Sequence, residues 1–235
     1  MKITIWSDFQ CPFCYIGEKI LENVLGSMEL TEPVEIEYRA YELDPEAPAI
    51  PRETMTQHFM GGHEMSEARA EAQMAKITRM AADVGLTYNL PGVQVCSTLD
   101  AHRLMKYAAR KLTPGWLKRL NFSLFKANFE ENLRLPDHDV LATLAEQAGL
   151  EHKAVLEILG GDSFAKEVRK DEAEIDARPD FEFVPYMFLE NGAVLQGVMK
   201  IESLREWLTA AMADAGHISL PEAPREGCGP AGCSI

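Results

Sequence analysis

Cys11 and Cys14, separated by Pro12 and Phe13, lie directly behind a short stretch of alternating, β-branched character. Lys2 to Ser7 reads as a strand. Tyr15 to Leu25 carries apolar residues at Ile16, Ile20, Val24 and Leu25, the spacing of one helix face. Proline has no N–H to lose and a preset φ, so Pro12 suits the first helical position and places Cys11 at the N-terminus of that helix. Unpaired N–H groups and the positive end of the helix dipole favour a thiolate there, a nucleophile that is also a good leaving group. Cys14, one turn further in, is expected to be buried and un-ionised, as suits a resolving thiol. Two intervening residues let a small disulfide ring close across the first turn. The plainer alternative, two unrelated core cysteines, fits the strand-before, helix-after context less well than redox chemistry.

Beyond this start the chain divides into three parts. Val34 to Tyr41 reads as a second strand leading to Asp44-Pro45 and a proline-rich link to Pro51. From about Glu53 to Ala177 the periodicity is helical, with apolar stripes at Ile77, Met80, Ala81 and Val84, at Ala101, Leu104, Met105, Ala108, Ala109 and Leu112, and at Val140, Leu141, Leu144, Ala145 and Ala148. Gly85 and Gly149 are expected helix stops and Asp137 an expected helix start. Strand character returns at Phe181 to Leu189. Asn191-Gly192 then gives a two-residue hairpin signal before Ala193 to Gln196, and a last helix is expected over Ile201 to Ala215.

The sequence has 235 residues and a formal net charge of −14. An acidic surface repels phosphate backbones and anionic lipid, so neither nucleic acid nor a membrane is an expected partner. No run approaches the ~18–20 apolar residues that span a bilayer, and no secretory leader is read ahead of Cys11. The expected location is cytoplasmic, where thiols are kept reduced and close cysteine pairs signal redox or metal chemistry.

A second signal is Val184-Pro185. Proline inside a strand-like run removes a ladder donor and requires an edge, a bulge or a cis bond. Opposite a dithiol, a cis proline would leave the Val184 backbone free to pair with an extended polypeptide. The third signal is Cys228 and Cys233, set in a Gly- and Pro-rich tail. Its readings are exchange with the first pair, a structural or inert end, or part of a metal site, the last poorly supplied because His217 is the nearest histidine. Cys96 reads as a small buried hydrophobe and His102 as a hydrogen-bonded structural histidine. Asp8 is either a proton acceptor for Cys14 or, more simply, a cap of the turn. His58, His63 and Glu64 lack zincin spacing. Met55, Met60, Met65, Met74 and Met80 read as core filling, and Arg169-Lys170-Asp171-Glu172 as a solvated helix face.

Trp6-Ser7-Asp8-Phe9 followed by Cys11-Pro12-Phe13-Cys14-Tyr15-Ile16-Gly17 resembles the active-site segment of DsbA-like thioredoxin-fold proteins, the FrnE-like branch in particular. Arg39 to Pro45 is similar to that branch's second strand and exit. Thr98 with Ala101-His102-Arg103-Leu104 is similar to its helical signature, and Val184-Pro185 to its cis-proline. The resemblance runs in order from residue 1 to about residue 212. It implies an α/β thioredoxin fold with a large all-helical insertion, the fold lying in residues 1–46 and 175–216, the insertion in 47–174 and a cysteine-containing tail in 217–235. It also implies thiol–disulfide oxidoreductase or isomerase activity on protein thiols and disulfides. Cys11 would attack, Cys14 resolve, Val184 and Pro185 face them, and Cys228/Cys233 serve as an auxiliary redox pair. Glutathione or a thioredoxin-type reductant would exchange electrons, and no bound cofactor or metal is required. The alternative is a glutathione-dependent isomerase or transferase of small molecules. That related branch generally carries serine at the first active-site position, where this chain has cysteine.

Overall fold

The computed structural model describes residues 1–62 and 65–214. β1 (Lys2–Ser7) leads through Asp8–Gln10 into α1 (Pro12–Gly26), and β2 (Glu35–Ala40) returns parallel to β1. Among the described residues seven helices follow before the chain regains the sheet: α2 (Met55–Gly62), α3 (Glu67–Ala82), α4 (Leu99–Ala109), α5 (Pro114–Phe129), α6 (His138–Gln147), α7 (His152–Leu159) and α8 (Ala165–Asp176). A single 3-10 turn at Leu90–Gly92 separates α3 from α4. β3 (Tyr186–Leu189) then pairs antiparallel with β1, β4 (Val194–Gln196) pairs antiparallel with β3, and α9 (Ile201–Asp214) closes the described chain against α1. The sheet order is β2-β1-β3-β4, and β1 is central because the parallel return and the late hairpin take its two edges. This is an α/β thioredoxin fold with a helical insertion between β2 and β3.

Local sequence accounts for much of this. Pro12 occupies the first turn of α1 with Cys11 as its N-cap residue. Asp137 caps α6 by accepting from Asp139 N at 3.1 Å. Gly85 and Gly149 both take positive φ (88° and 95°) just past the ends of α3 and α6, as helix-ending glycines do.

Three expectations need correction. The strand placed at Phe181–Leu189 begins only at Tyr186, because Val184-Pro185 is a cis peptide and proline brings no N–H to a ladder. Residues 181–185 instead form a loop held by Gln196, whose side-chain oxygen accepts from Glu182 N (2.8 Å) and Phe183 N (3.3 Å). The run at Arg169 to Glu172 is a solvated face only at Arg169 and Lys170. Asp171 and Glu172 are buried where α8 packs on β2, and Asp171 pairs with Arg39 (2.9 Å) and Lys106 while accepting from Ala40 N (2.8 Å). Glu172 takes Arg169 (2.8 Å) and accepts from Glu42 N (3.3 Å). A charged run can face inward when each carboxylate finds cations and amides at the joint. The methionine series is mixed: Met55 and Met74 are buried and Met80 packs on the core, whereas Met60 is exposed. The expected end of the last helix and the tail pair Cys228/Cys233 lie outside the described residues.

Candidate active site

Cys11 caps α1 at the point where β1 hands over to the helix. Its N–H donates to the Asp8 carbonyl (3.0 Å), and its own carbonyl accepts from Cys14 N (3.1 Å), closing the tight turn that holds the two thiols together. The Asp8 carboxylate is buried and held by three donors. Oδ1 accepts from Thr98 Oγ1 (2.7 Å) and Gln10 N (3.1 Å), and Oδ2 accepts from Leu43 N (2.7 Å). It therefore pins the dithiol loop to the exit of β2 and to the start of α4, the capping role. Asn128 adds a further tie by donating to the Phe9 carbonyl at 2.8 Å. Tyr88, buried beside the pair, donates to the Pro12 carbonyl at 2.7 Å.

The structure brings four of the expected site residues together. Cys11 Sγ lies 3.9 Å from the Val184 carbonyl oxygen, and Pro185 packs on α1 one turn past the dithiol, so close that a Cβ on Gly17 would meet the ring at 2.9 Å. Among the described residues the Val184 N–H has no hydrogen-bond partner, as an extended partner strand would require. Cys14 lies completely buried behind Cys11. Burial, and then the neighbouring Cys11 thiol, push the Cys14 thiol well above its ordinary range, while a backbone bond from Asp8 pulls the other way. Cys11 itself is more covered than expected. Only 4% of the residue is open, because the Val184 loop closes over it, where the helix-end position alone suggested a freely reachable sulfur.

Other candidates stand elsewhere. Cys96 is buried, and burial pushes its thiol up to about 11, the inert behaviour expected of it. His102 is buried with its ring on Phe9, but its Nε2 has no hydrogen-bond partner and stands 3.7 Å from Asp8 Oδ1, against the hydrogen-bonded expectation. Asp8 already accepts three closer donors, and Nε2 is left without a bond. Among the described residues no cluster of three or more His, Cys, Asp or Glu could hold a metal.

Sequence reasoning missed Glu18 and Gln196. Glu18 lies on α1 four residues past Cys14, so the two side chains share a helix face, and it is buried with Asn121 Nδ2 donating to Oε2 at 2.6 Å. Burial, offset in part by the nearby Ser7 hydroxyl and the Asn121 hydrogen bond, pushes its carboxyl from 4.5 to about 7. The available signal was an acid set between Ile16 and Ile20 on an apolar face. Gln196 is the residue that ties the loop bearing Val184 to the sheet; besides accepting from that loop it donates to the Asp180 carbonyl at 2.6 Å.

A sheet of this order, with a CxxC dithiol at the first strand–helix junction and a cis-proline loop against it, defines a thioredoxin-fold dithiol protein. The chain belongs to the DSBA-like thioredoxin domain family, whose model matches residues 2–209, and is a DsbA-like oxidoreductase of the thioredoxin superfamily. It is similar to a crystallised protein of Streptomyces coelicolor described as a "probable DsbA oxidoreductase", at 30% identity and a TM-score of 0.84, covering 100% of this chain and 99% of that one. It is also 27% identical over 189 residues to YwbO of Bacillus subtilis, covering 77% of this chain and 86% of that protein. The cytosolic disulfide reductase DsbM of Pseudomonas aeruginosa, crystallised with glutathione, shares the fold at 15% identity and a TM-score of 0.60, covering 91% of this chain and all of that one.

Proposed function

We propose that this protein exchanges disulfides with protein substrates through Cys11, by way of a mixed disulfide that Cys14 resolves. The observation that carries the reading is the triangle of Cys11 at the helix start, Cys14 buried one turn behind it, and the Val184 carbonyl 3.9 Å from the Cys11 sulfur. In reduction, the Cys11 thiolate attacks one sulfur of the substrate disulfide and the other leaves as a thiolate that takes a proton. Cys14 then loses its proton and attacks Cys11, releasing the second substrate thiol and leaving a Cys11–Cys14 disulfide. Glutathione or a thioredoxin-type reductant then reduces the Cys11–Cys14 disulfide for another cycle; oxidation runs the same steps backwards and leaves the pair reduced, for a disulfide such as oxidised glutathione to reset. The burial that keeps Cys14 protonated suits a thiol that acts second. Val184 and Pro185 would seat the substrate segment, with the exposed Phe183 beside them. Cys228 and Cys233 are proposed as an auxiliary exchanging pair, the division into residues 1–46 with 175–216 and 47–174 as the working domain plan, and the cytoplasm as the compartment.

Insulin reduction driven by dithiothreitol tests this. Wild-type protein should turn over, Cys11→Ser should be inactive, and Cys14→Ser should accumulate mixed disulfides on Cys11 visible by mass spectrometry. Activity persisting in Cys11→Ser overturns the reading. The narrow opening above Cys11 favours one second reading, a small thiol or disulfide such as glutathione as the direct partner. Saturable glutathione-dependent turnover with no insulin reduction would select it.

A further inference from the structure

A pocket of about 520 Å³ opens between β1, β2, the later turns of α1 and the first turns of α5. Ile5, Leu21, Leu25, Leu30, Ile36 and Phe122 make most of its wall. Two polar groups converge on it. Glu18 is only 3% exposed; Asn121 satisfies its Oε2, while its Oε1 is buried with no hydrogen-bond partner. Tyr38 lines the same space from β2, and among the described residues its hydroxyl is tied to no other group. At the rim Glu22 pairs with Lys118 (3.0 Å) and Lys19 (2.7 Å), so those cations are already engaged. A buried acceptor without a donor is costly, and an apolar cavity with a few convergent polar groups is the usual form of a small-molecule site.

The chemistry selects the occupant. An anion would meet Glu18 and Glu22 in a chain of net charge −14, and a pure hydrocarbon would leave Glu18 Oε1 unpaired. A primary ammonium supplies the missing donors, with one proton for Glu18 Oε1 and another for the Tyr38 hydroxyl oxygen, while an alkyl or aryl tail covers the apolar wall. We propose that this pocket binds a small apolar primary amine, held by Glu18 and Tyr38. Neither Cys11 nor Cys14 lines the pocket, so either reading can stand without the other.

The groups facing Glu18 are Ser7 from β1, Tyr38 from β2, Asn121 and Lys118 from α5, and Cys14 and Glu22 along α1. Cys14 and Tyr38 are pushed up and Glu22 down, so these three hold their charge states between pH 6 and 8, while Glu18, near 7, ionises across that range. Calorimetric titration of the full chain with 4-phenylbutylamine, 4-phenylbutanol and 4-phenylbutanoate tests the proposal. The amine should bind saturably at one site, about tenfold or more tighter than the alcohol, with the carboxylate weakest. It should bind more tightly at pH 8 than at pH 6. Glu18→Gln, which keeps a side chain of the same shape for Asn121, should cost about tenfold or more in amine affinity, and Tyr38→Phe a smaller factor. Equal binding of amine and alcohol, undiminished binding to Glu18→Gln, or no saturation by about 10 mM amine at pH 8 would each overturn it.

Discussion

Cys11 and Cys14 occupy different places because one residue stands at the N-cap of α1 while the other is folded into its first turn, and that placement was legible in four consecutive residues. Glu18 was not. An acid on an amphipathic helix reads as a solvent-facing residue, and what buries it is α5, whose Asn121 arrives from 103 residues away in the sequence. Its consequence for stability follows from proton linkage. The folded state holds the Glu18 proton up to about pH 7, whereas an unfolded chain releases it near 4.5. The native state therefore binds more protons in that window, and stability falls as pH rises through it, by about 3 kcal/mol for a shift of this size. Glu18→Gln should flatten that slope and leave the variant more stable than wild type at pH 8, with little difference at pH 4. Chemical denaturation at these two pH values checks it, and parallel pH profiles for the two proteins would refute it.

At the scale of elements, helix α1 and the loop before β3 are the pieces that must meet. Periodicity located α1, and the proline at 185 announced an interruption, but the pattern could not show that residues 181–185 leave the sheet altogether. That depends on Gln196 at the end of β4, 13 to 14 residues along the chain, which the hairpin brings against the loop. The contact between the two pieces has no slack at Gly17, where an added Cβ would stand 2.9 Å from a carbon of the stiff Pro185 ring. Gly26, at the end of the same helix, has nothing within 4 Å of such a Cβ. Helix propensity alone favours alanine over glycine by ~1 kcal/mol in a helix interior. Gly26→Ala should accordingly be neutral or slightly stabilising, while Gly17→Ala should lose about 1–3 kcal/mol through overpacking. Thermal denaturation distinguishes them, and a Gly17→Ala protein as stable as wild type would mean that the loop yields freely.

Across the whole molecule the sheet and the helical insertion are joined by both hydrocarbon and charge. Phe9, Tyr15, Phe125 and Phe129 stack through one continuous core that includes residues of β1, α1 and α5. Asp171 on α8 fastens the opposite side: its carboxylate reaches Arg39 and Ala40 N of β2 and Lys106 of α4, and its carbonyl accepts from Trp6 Nε1 at 3.1 Å. The sequence read this segment as a solvated charge run because the partners that neutralise it are scattered over β1, β2 and α4, and no local pattern records their convergence. Asp171→Ala would strand the buried Ala40 N–H and remove the carboxylate from Lys106 and Arg39, whereas Arg39 keeps Glu37 at 2.7 Å. Deleting one partner of a buried charge cluster costs about 3–5 kcal/mol, and the surviving Arg39 pair places this case towards the lower end. Because the core is shared, that loss should lower the midpoint of a single cooperative transition rather than release the insertion as a separate unit. Urea unfolding followed at once by far-ultraviolet circular dichroism and by tryptophan fluorescence reports both. Coincident curves displaced to lower urea are expected, and curves that separate in the variant would show that the charge joint, not the aromatic core, is what makes the two parts unfold as one.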